Sequence, residues 1–265
     1  MTPTPPARAL RASVLVAALF ISAGCRENVA PFVPDDELIR RMTITAQPST
    51  PTITPVFGWS ALGLETLRDG RLYVPPSYDP ATPARLVVLL HGAGTPGSPG
   101  STHLFQSPAF LSWADAHGIV LLATESRYHT WDLMVSGEYD VDVAFLNRAL
   151  MHTFSRVNVD PTKVAIGGFS DGASEAIGIG VANAGLFRRI VAFTPGLAVM
   201  PFSRGNPAVF VSAGDQDTGF FLSARDVIVP NLRKNGMVVT FLPFQGGHVV
   251  PEGVVDEAFE WLLEP

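Results

Sequence analysis

The chain has 265 residues, 47% of them hydrophobic and 16% charged, and a formal net charge of −6. This composition excludes a disordered chain, and the length suits one α/β domain with a large core plus a short leader. The acidic balance argues against nucleic acid as a partner, because phosphate binding needs a basic face, and the body holds no apolar run of 18 or more residues to span a bilayer.

The N-terminus reads as an export address. Arg8 and Arg11 precede the apolar run Val14–Ser22 (VLVAALFIS), which is too short for a stable span. The run ends in Ser22-Ala23-Gly24-Cys25, which resembles the lipobox of bacterial lipoproteins, with Ser22 where leucine is commoner. That resemblance implies a signal peptide over 1–24, cleavage before Cys25 and lipidation of its thiol. The partner implied is thus a membrane, reached through buried acyl chains. Arg26 in place of an aspartate implies the outer membrane in a Gram-negative envelope. Cys25 is the only cysteine, so no disulfide forms within the chain. Removing Arg8 and Arg11 with the leader leaves 16 basic against 24 acidic groups. Residues 25–57 are rich in Pro and Thr without sustained periodicity and are expected to be a tether, with the folded domain over 58–265.

From residue 58 the pattern changes. A hairpin is expected over Gly63–Val74, turning at Asp69-Gly70. Six apolar runs follow: Arg85–Leu90, Ile119–Thr124, Lys163–Ile166, Ile190–Thr194, Ala208–Ser212 and Val238–Leu242. They are continuous and rich in β-branched residues, as strands buried on both faces must be. Helices are predicted over Asp140–Val157, Asp171–Ala184, Ser223–Lys234 and Glu252–Leu263. Strands alternating with helices imply an α/β, doubly wound, mostly parallel sheet with its functional groups at the carboxyl ends of the strands.

The chemistry sits at those ends. KVAIGGFSDGASEAIGIG reads strand, turn, helix, and the turn is Gly168-Phe169-Ser170-Asp171-Gly172. This is G-x-S-x-G in the setting that gives it meaning, the nucleophile elbow of an α/β-hydrolase. Attack by Ser170 needs an oxyanion hole. The turn His91-Gly92-Ala93-Gly94 after LVVLL offers backbone N–H groups, with Ala93 the favoured donor, Gly94 the next, and the Asp171 N–H the second partner. In this fold the acid and then the histidine follow the serine. Only His248 follows Ser170, so it is the expected base, and His91 is expected to be a structural hydrogen-bonding residue. AGDQD at 213–217 offers two acids, and Asp217 is favoured over Asp215 because it reaches further toward the histidine loop. In ESRYHTWD (125–132), Trp131 is a candidate wall for the substrate or else a core residue, with His129 and Tyr128 at the mouth. No metal or organic cofactor is implied.

These segments, together with VDPTKVAIGGFSDGAS (159–174), AFTPG (192–196) and GGHVVP (246–251), resemble bacterial phospholipase/carboxylesterase-type predicted esterases, near the polyhydroxybutyrate-depolymerase and feruloyl-esterase branch. The resemblance covers some 190 residues and implies a serine esterase with Ser170, Asp217 and His248 as its triad. It departs at Ala213-Gly214, where the family often has His-Gly. The substrate expected is a small or polymeric ester, while amide cleavage and acyl transfer remain open on the same triad. Only 13 residues (Pro195–Pro207) lie where a lid is usually inserted, so no lid domain is expected.

Overall fold

All six apolar runs form strands of one sheet, and their lack of polar alternation has a direct cause: both faces are covered. The computed structural model describes residues 36–94, 100–200 and 202–265. In chain order the elements begin with α1 (Asp36–Met42), β1 (Gly58–Ala61), β2 (Gly70–Val74), β3 (Ala84–Leu90), α2 (Pro108–His117) and β4 (Val120–Thr124). They continue with α3 (Asp132–Ser136), α4 (Val141–Phe154), β5 (Val159–Phe169), α5 (Asp171–Ala182) and β6 (Arg189–Phe193). The last are β7 (Ala208–Gly214), α6 (Thr218–Leu222), α7 (Val229–Lys234), β8 (Val239–Phe244) and α8 (Glu252–Leu263).

The eight strands run in the order β1-β2-β4-β3-β5-β6-β7-β8. Pairs involving β1 and β2 are antiparallel and all others parallel. Alternation along β3 divides the core: Leu86, Val88 and Leu90 face one layer, Val87 and Leu89 the other. The first layer takes α4, α5 and α7, and the second takes α2 and α8, which makes the sheet doubly wound.

Helix α5 is buried all round, from Gly172 to Ala182, as expected of a helix with small or apolar residues on every face. Gly178 is needed there because a Cβ would fall 1.8 Å from the Tyr139 hydroxyl. Helices α2 and α3 have no counterpart in the sequence expectations. Each buries only two side chains, Phe110 and Ala114 in one, Asp132 and Leu133 in the other, so neither carries a wide apolar stripe.

Two expectations are corrected. The hairpin lies earlier than Gly63–Val74, with β1 at Gly58–Ala61 and a loop over 62–69. Asp69 closes that loop by accepting the N–H groups of Gly63 (2.6 Å) and Leu64 (3.2 Å), so Asp69-Gly70 ends a long connection instead of making a two-residue turn. The second correction concerns the tether. Residues 42–46 are docked: Met42, Ile44 and Ala46 are buried in the first layer. Asn183 bridges the Met42 carbonyl and the Ile44 N–H (2.9 Å each), and Asn147 Oδ1 accepts the N–H groups of Thr45 and Ala46 (2.9 Å each). The alternating burial covers only about five residues and gives no helical period, so it does not stand out from the Pro- and Thr-rich chain around it, which is why it read as a linker. The leader, Cys25 and the tether to residue 35 lie outside the described residues. Among those described, no helix is long and apolar enough to cross a membrane.

Candidate active site

Ser170 stands between β5 and α5 with φ 56° and ψ −118°, a left-handed conformation that is strained for a residue with a side chain. The surroundings enforce it. Its N–H donates to the Phe193 carbonyl of the neighbouring strand (2.9 Å), and its carbonyl accepts the N–H groups of Ala173 and Ser174 (3.0 and 3.1 Å). A Cβ on Gly168 would lie 2.6 Å from the Leu90 carbonyl oxygen, and one on Gly172 2.2 Å from that same atom. Both glycines are therefore demanded by the close approach of the turn to the end of β3.

His248 follows β8 and reaches the serine. Its Nε2 lies 2.8 Å from Ser170 Oγ and its Nδ1 2.6 Å from Asp217 Oδ2. A neutral ring donating Nδ1–H to the carboxylate leaves Nε2 to accept the serine proton. Asp215, the other acid considered, turns to the backbone and accepts the Gly246 N–H at 3.1 Å. It clamps the histidine loop, as do the Gln216 N–H on the Gly246 carbonyl (2.8 Å) and the Asp215 N–H on the Phe244 carbonyl (2.9 Å). The ring itself is held between Phe169 and Phe220, centroids 4.9 and 4.3 Å away. Phe220 is a functional neighbour that sequence reasoning missed, since nothing in TGFFL distinguishes it from an ordinary apolar helix residue.

The turn after β3 lies against Ser170: a Cβ on Gly92 would be 3.3 Å from Ser170 Cβ. Among the described residues the Ala93 N–H has no acceptor. The Asp171 N–H opens α5, where no intrahelical acceptor exists. Gly94 is corrected as a donor, because its N–H is spent on the His129 carbonyl at 2.9 Å.

The eight-stranded, mostly parallel sheet with helices on both faces resembles the folds of several solved structures. S-formylglutathione hydrolase FrmB of Staphylococcus aureus matches over 80% of this chain and 100% of its own, with a TM-score of 0.61 and 13% identity. A thermostable esterase matches over 77% of this chain at a TM-score of 0.58 and 19% identity, and this chain spans only 62% of that protein's length. The propionate-bound thermophilic esterase Est2 of Thermogutta terrifontis matches over 79% of this chain and 94% of its own, at 0.58 and 16%. The fold is the α/β-hydrolase fold. No protein-family model matches the chain, nor does any curated protein.

In this fold the segment after β4 contributes differently from expectation. Trp131 is only 2% exposed, so it walls no substrate site. Its indole N–H donates to the His91 carbonyl (2.7 Å) and its ring lies 4.9 Å from the His91 ring, against the turn after β3. Tyr128 and His129 are exposed and neither lines the cleft at the triad. What this segment supplies is backbone, above all the His129 carbonyl that receives the N–H groups of Gly94 and Gly100. His91 is fully buried and structural, as expected. Burial pulls its pKa down to about 4, against the opposing hydrogen bond to the Gly92 carbonyl, and the ring is neutral.

The cleft beside the triad measures about 410 Å³. Leu104, Phe169, Val249 and Val250 line it, with Ala93 and His248 at its polar edge. Two other hollows, near Arg85 and near Asn158, lie at the amino ends of β3 and β5, away from the elbow. Under the site, Glu175 of α5 is fully buried, with no hydrogen-bond partner on either carboxyl oxygen among the described residues. Burial, reinforced by Asp132, Asp142 and Asp171, pushes its pKa well above the usual carboxylate range, so it is a neutral acid.

Proposed function

We propose that this protein is a serine hydrolase that cleaves short-chain carboxylic esters through an acyl-enzyme. The observation that carries the reading is the continuous chain from Ser170 Oγ to His248 Nε2 (2.8 Å) and from Nδ1 to Asp217 Oδ2 (2.6 Å), beside the Ala93 and Asp171 N–H groups, which have no acceptor among the described residues. His248, oriented by Asp217, takes the proton from Ser170 as its oxygen attacks the ester carbonyl. The N–H groups of Ala93 and Asp171 then receive the developing oxyanion. His248 returns its proton to the leaving alkoxide, and water repeats the cycle on the acyl-enzyme.

The apolar cleft supports a small alkyl or aryl group at this site. The connection between β6 and β7 supports the absence of a lid: residues 194–207 contain no helix among those described, and Leu197, Ala198 and Phe202 pack onto the core. Fluorophosphonate labelling of the full chain tests the class, and p-nitrophenyl esters of graded length test the substrate. Labelling at Ser170 and hyperbolic kinetics best at about C2–C6 are expected, because an unenclosed acyl chain gains little apolar contact. No labelling, or rates that jump when an emulsion forms, would overturn the reading. Anchorage through a lipid on Cys25 is a companion proposal resting on the lipobox alone. Absence of palmitate incorporation in a Gram-negative host would refute it.

A further inference from the structure

The loop over 62–69 joins the two antiparallel strands at the sheet's edge, far in sequence from the elbow, yet one of its side chains enters the oxyanion turn. Arg68 Nη2 lies 3.2 Å from His91 Nε2 and donates to the Gly100 carbonyl (3.1 Å) and Ser126 Oγ (2.9 Å), while its Nε donates to the Ser126 carbonyl. We infer that Arg68 is a positioning residue for the oxyanion hole, acting through the His91 ring on the peptide between Gly92 and Ala93. The inference rests on the ester-hydrolase reading and adds a residue to it.

The chemistry runs through proton placement. His91 Nε2 meets two donors, Arg68 and the Ser126 N–H at 3.0 Å. A guanidinium offers only hydrogens, so the nitrogen facing it must present its lone pair. The single ring proton is therefore on Nδ1, which donates to the Gly92 carbonyl at 2.6 Å. In a planar trans peptide the C=O and the next N–H point in opposite directions. Holding the Gly92 carbonyl on the buried ring thus aims the Ala93 N–H away from it, on the side of the cleft that Ser170 and His248 share. A proton on Nε2 instead would face two donors and leave the Gly92 carbonyl without its partner.

Three further features show that Arg68 is held for this task. Its φ is 51°, uncommon for a residue with a long side chain. Arg127 donates to the Arg68 carbonyl while its guanidinium lies 3.7 Å over the Phe145 ring. Arg68 also donates to the carbonyl of Gly100, which packs against the turn, since a Cβ on Gly100 would lie 2.1 Å from the Gly92 oxygen. Burial and the neighbouring Arg68 and Arg127 cations all disfavour a second proton on His91.

The test uses the full chain, labelled with nitrogen-15 in its histidines, and p-nitrophenyl acetate. In the wild type the His91 signals should report a proton on Nδ1 and none on Nε2 between about pH 5.5 and 9, since the ring's pKa lies well below the free value of about 6.5. Arg68→Met should lower kcat by about 10–100-fold, less than outright deletion of an oxyanion donor, with KM within about threefold. Its His91 signals should shift toward a mixture of tautomers, and Arg68→Lys should recover part of kcat. A wild-type His91 protonated on Nε2 overturns the inference whether or not any variant folds. So does Arg68→Met with kcat within threefold of wild type, or with lowered kcat and unchanged His91 signals. Failure of fluorophosphonate to label wild-type Ser170 is a separate result and strikes the hydrolase reading instead.

Discussion

Two glycine-rich turns meet at the carboxyl edge of the central strands, and they are built on opposite plans. In the proposed reaction the elbow after β5 acts through one side chain, Ser170, and is shaped by its own pentapeptide: Gly168 and Gly172 permit the approach to Leu90, and the strained φ of 56° is the outcome. In the same proposal the turn after β3 acts through a backbone N–H, and within the turn only His91 orients that group. His91 grips the Gly92 carbonyl, Trp131 the His91 carbonyl, His129 the Gly94 N–H, and Arg68 the ring from the edge of the sheet. A side chain is aimed by a local turn, whereas a peptide group has to be aimed by partners drawn from elsewhere in the fold.

The largest effect should come from the elbow. Ser170→Ala is expected to lower kcat on the order of a million-fold with folding intact, read by steady-state kinetics beside circular dichroism. Activity above a thousandth of wild type would mean that another group attacks the ester. Next in size is the acid. Asp217→Asn should lose about 10³–10⁴ in kcat through misorientation of His248, while Asp215→Asn should lose far less, since Asp215 holds loop backbone. Reversal of that order would show that the loop clamp outweighs the ring partner.

Local and remote construction separate more sharply in a matched pair. Gly172→Ala places a Cβ 2.2 Å from the Leu90 oxygen. It should destabilise the protein by about 3 kcal/mol or more, seen as a lowered urea midpoint, because the obstacle is backbone. Ala93→Gly alters only a side chain that the proposed chemistry does not use, and kcat should stay within about fivefold, in line with a glycine entropy term of roughly 1 kcal/mol or less. A large loss at Ala93 with normal stability would show that its methyl group, and not only its N–H, shapes the site.

The smallest effect lies beneath both turns, at Glu175. The unfolded chain releases this proton near pH 4.3, the free value, whereas the folded state keeps it. Above that pH the folded state binds more protons than the unfolded one, so this group's contribution falls as pH rises. Glu175→Gln removes the dependence, and its gain in urea midpoint over wild type should be larger at pH 8 than at pH 5. Equal gains at both values would mean that Glu175 is ionised or hydrated in the fold.

Several features of this protein follow from sequence alone, and each has a local cause. The parallel strands are legible because burial on both faces demands unbroken apolar runs such as Arg85–Leu90, and the elbow because steric need for two glycines four residues apart leaves a mark at a strand-to-helix turn. His248 is legible by order along the chain, being the only histidine after Ser170. Tertiary structure decided what depends on distance between remote segments. Asp217 rather than Asp215 meets the histidine because the Gly246 N–H engages the other carboxylate. Trp131 became a support and Gly94 a spent donor because loops 91–94 and 125–131 fold onto each other. Residues 42–46 joined the domain because Asn147 and Asn183, about 100 and 140 residues downstream, satisfy their backbone. Hydrogen bonds of that span leave no periodicity in either partner, so only the folded chain reveals them.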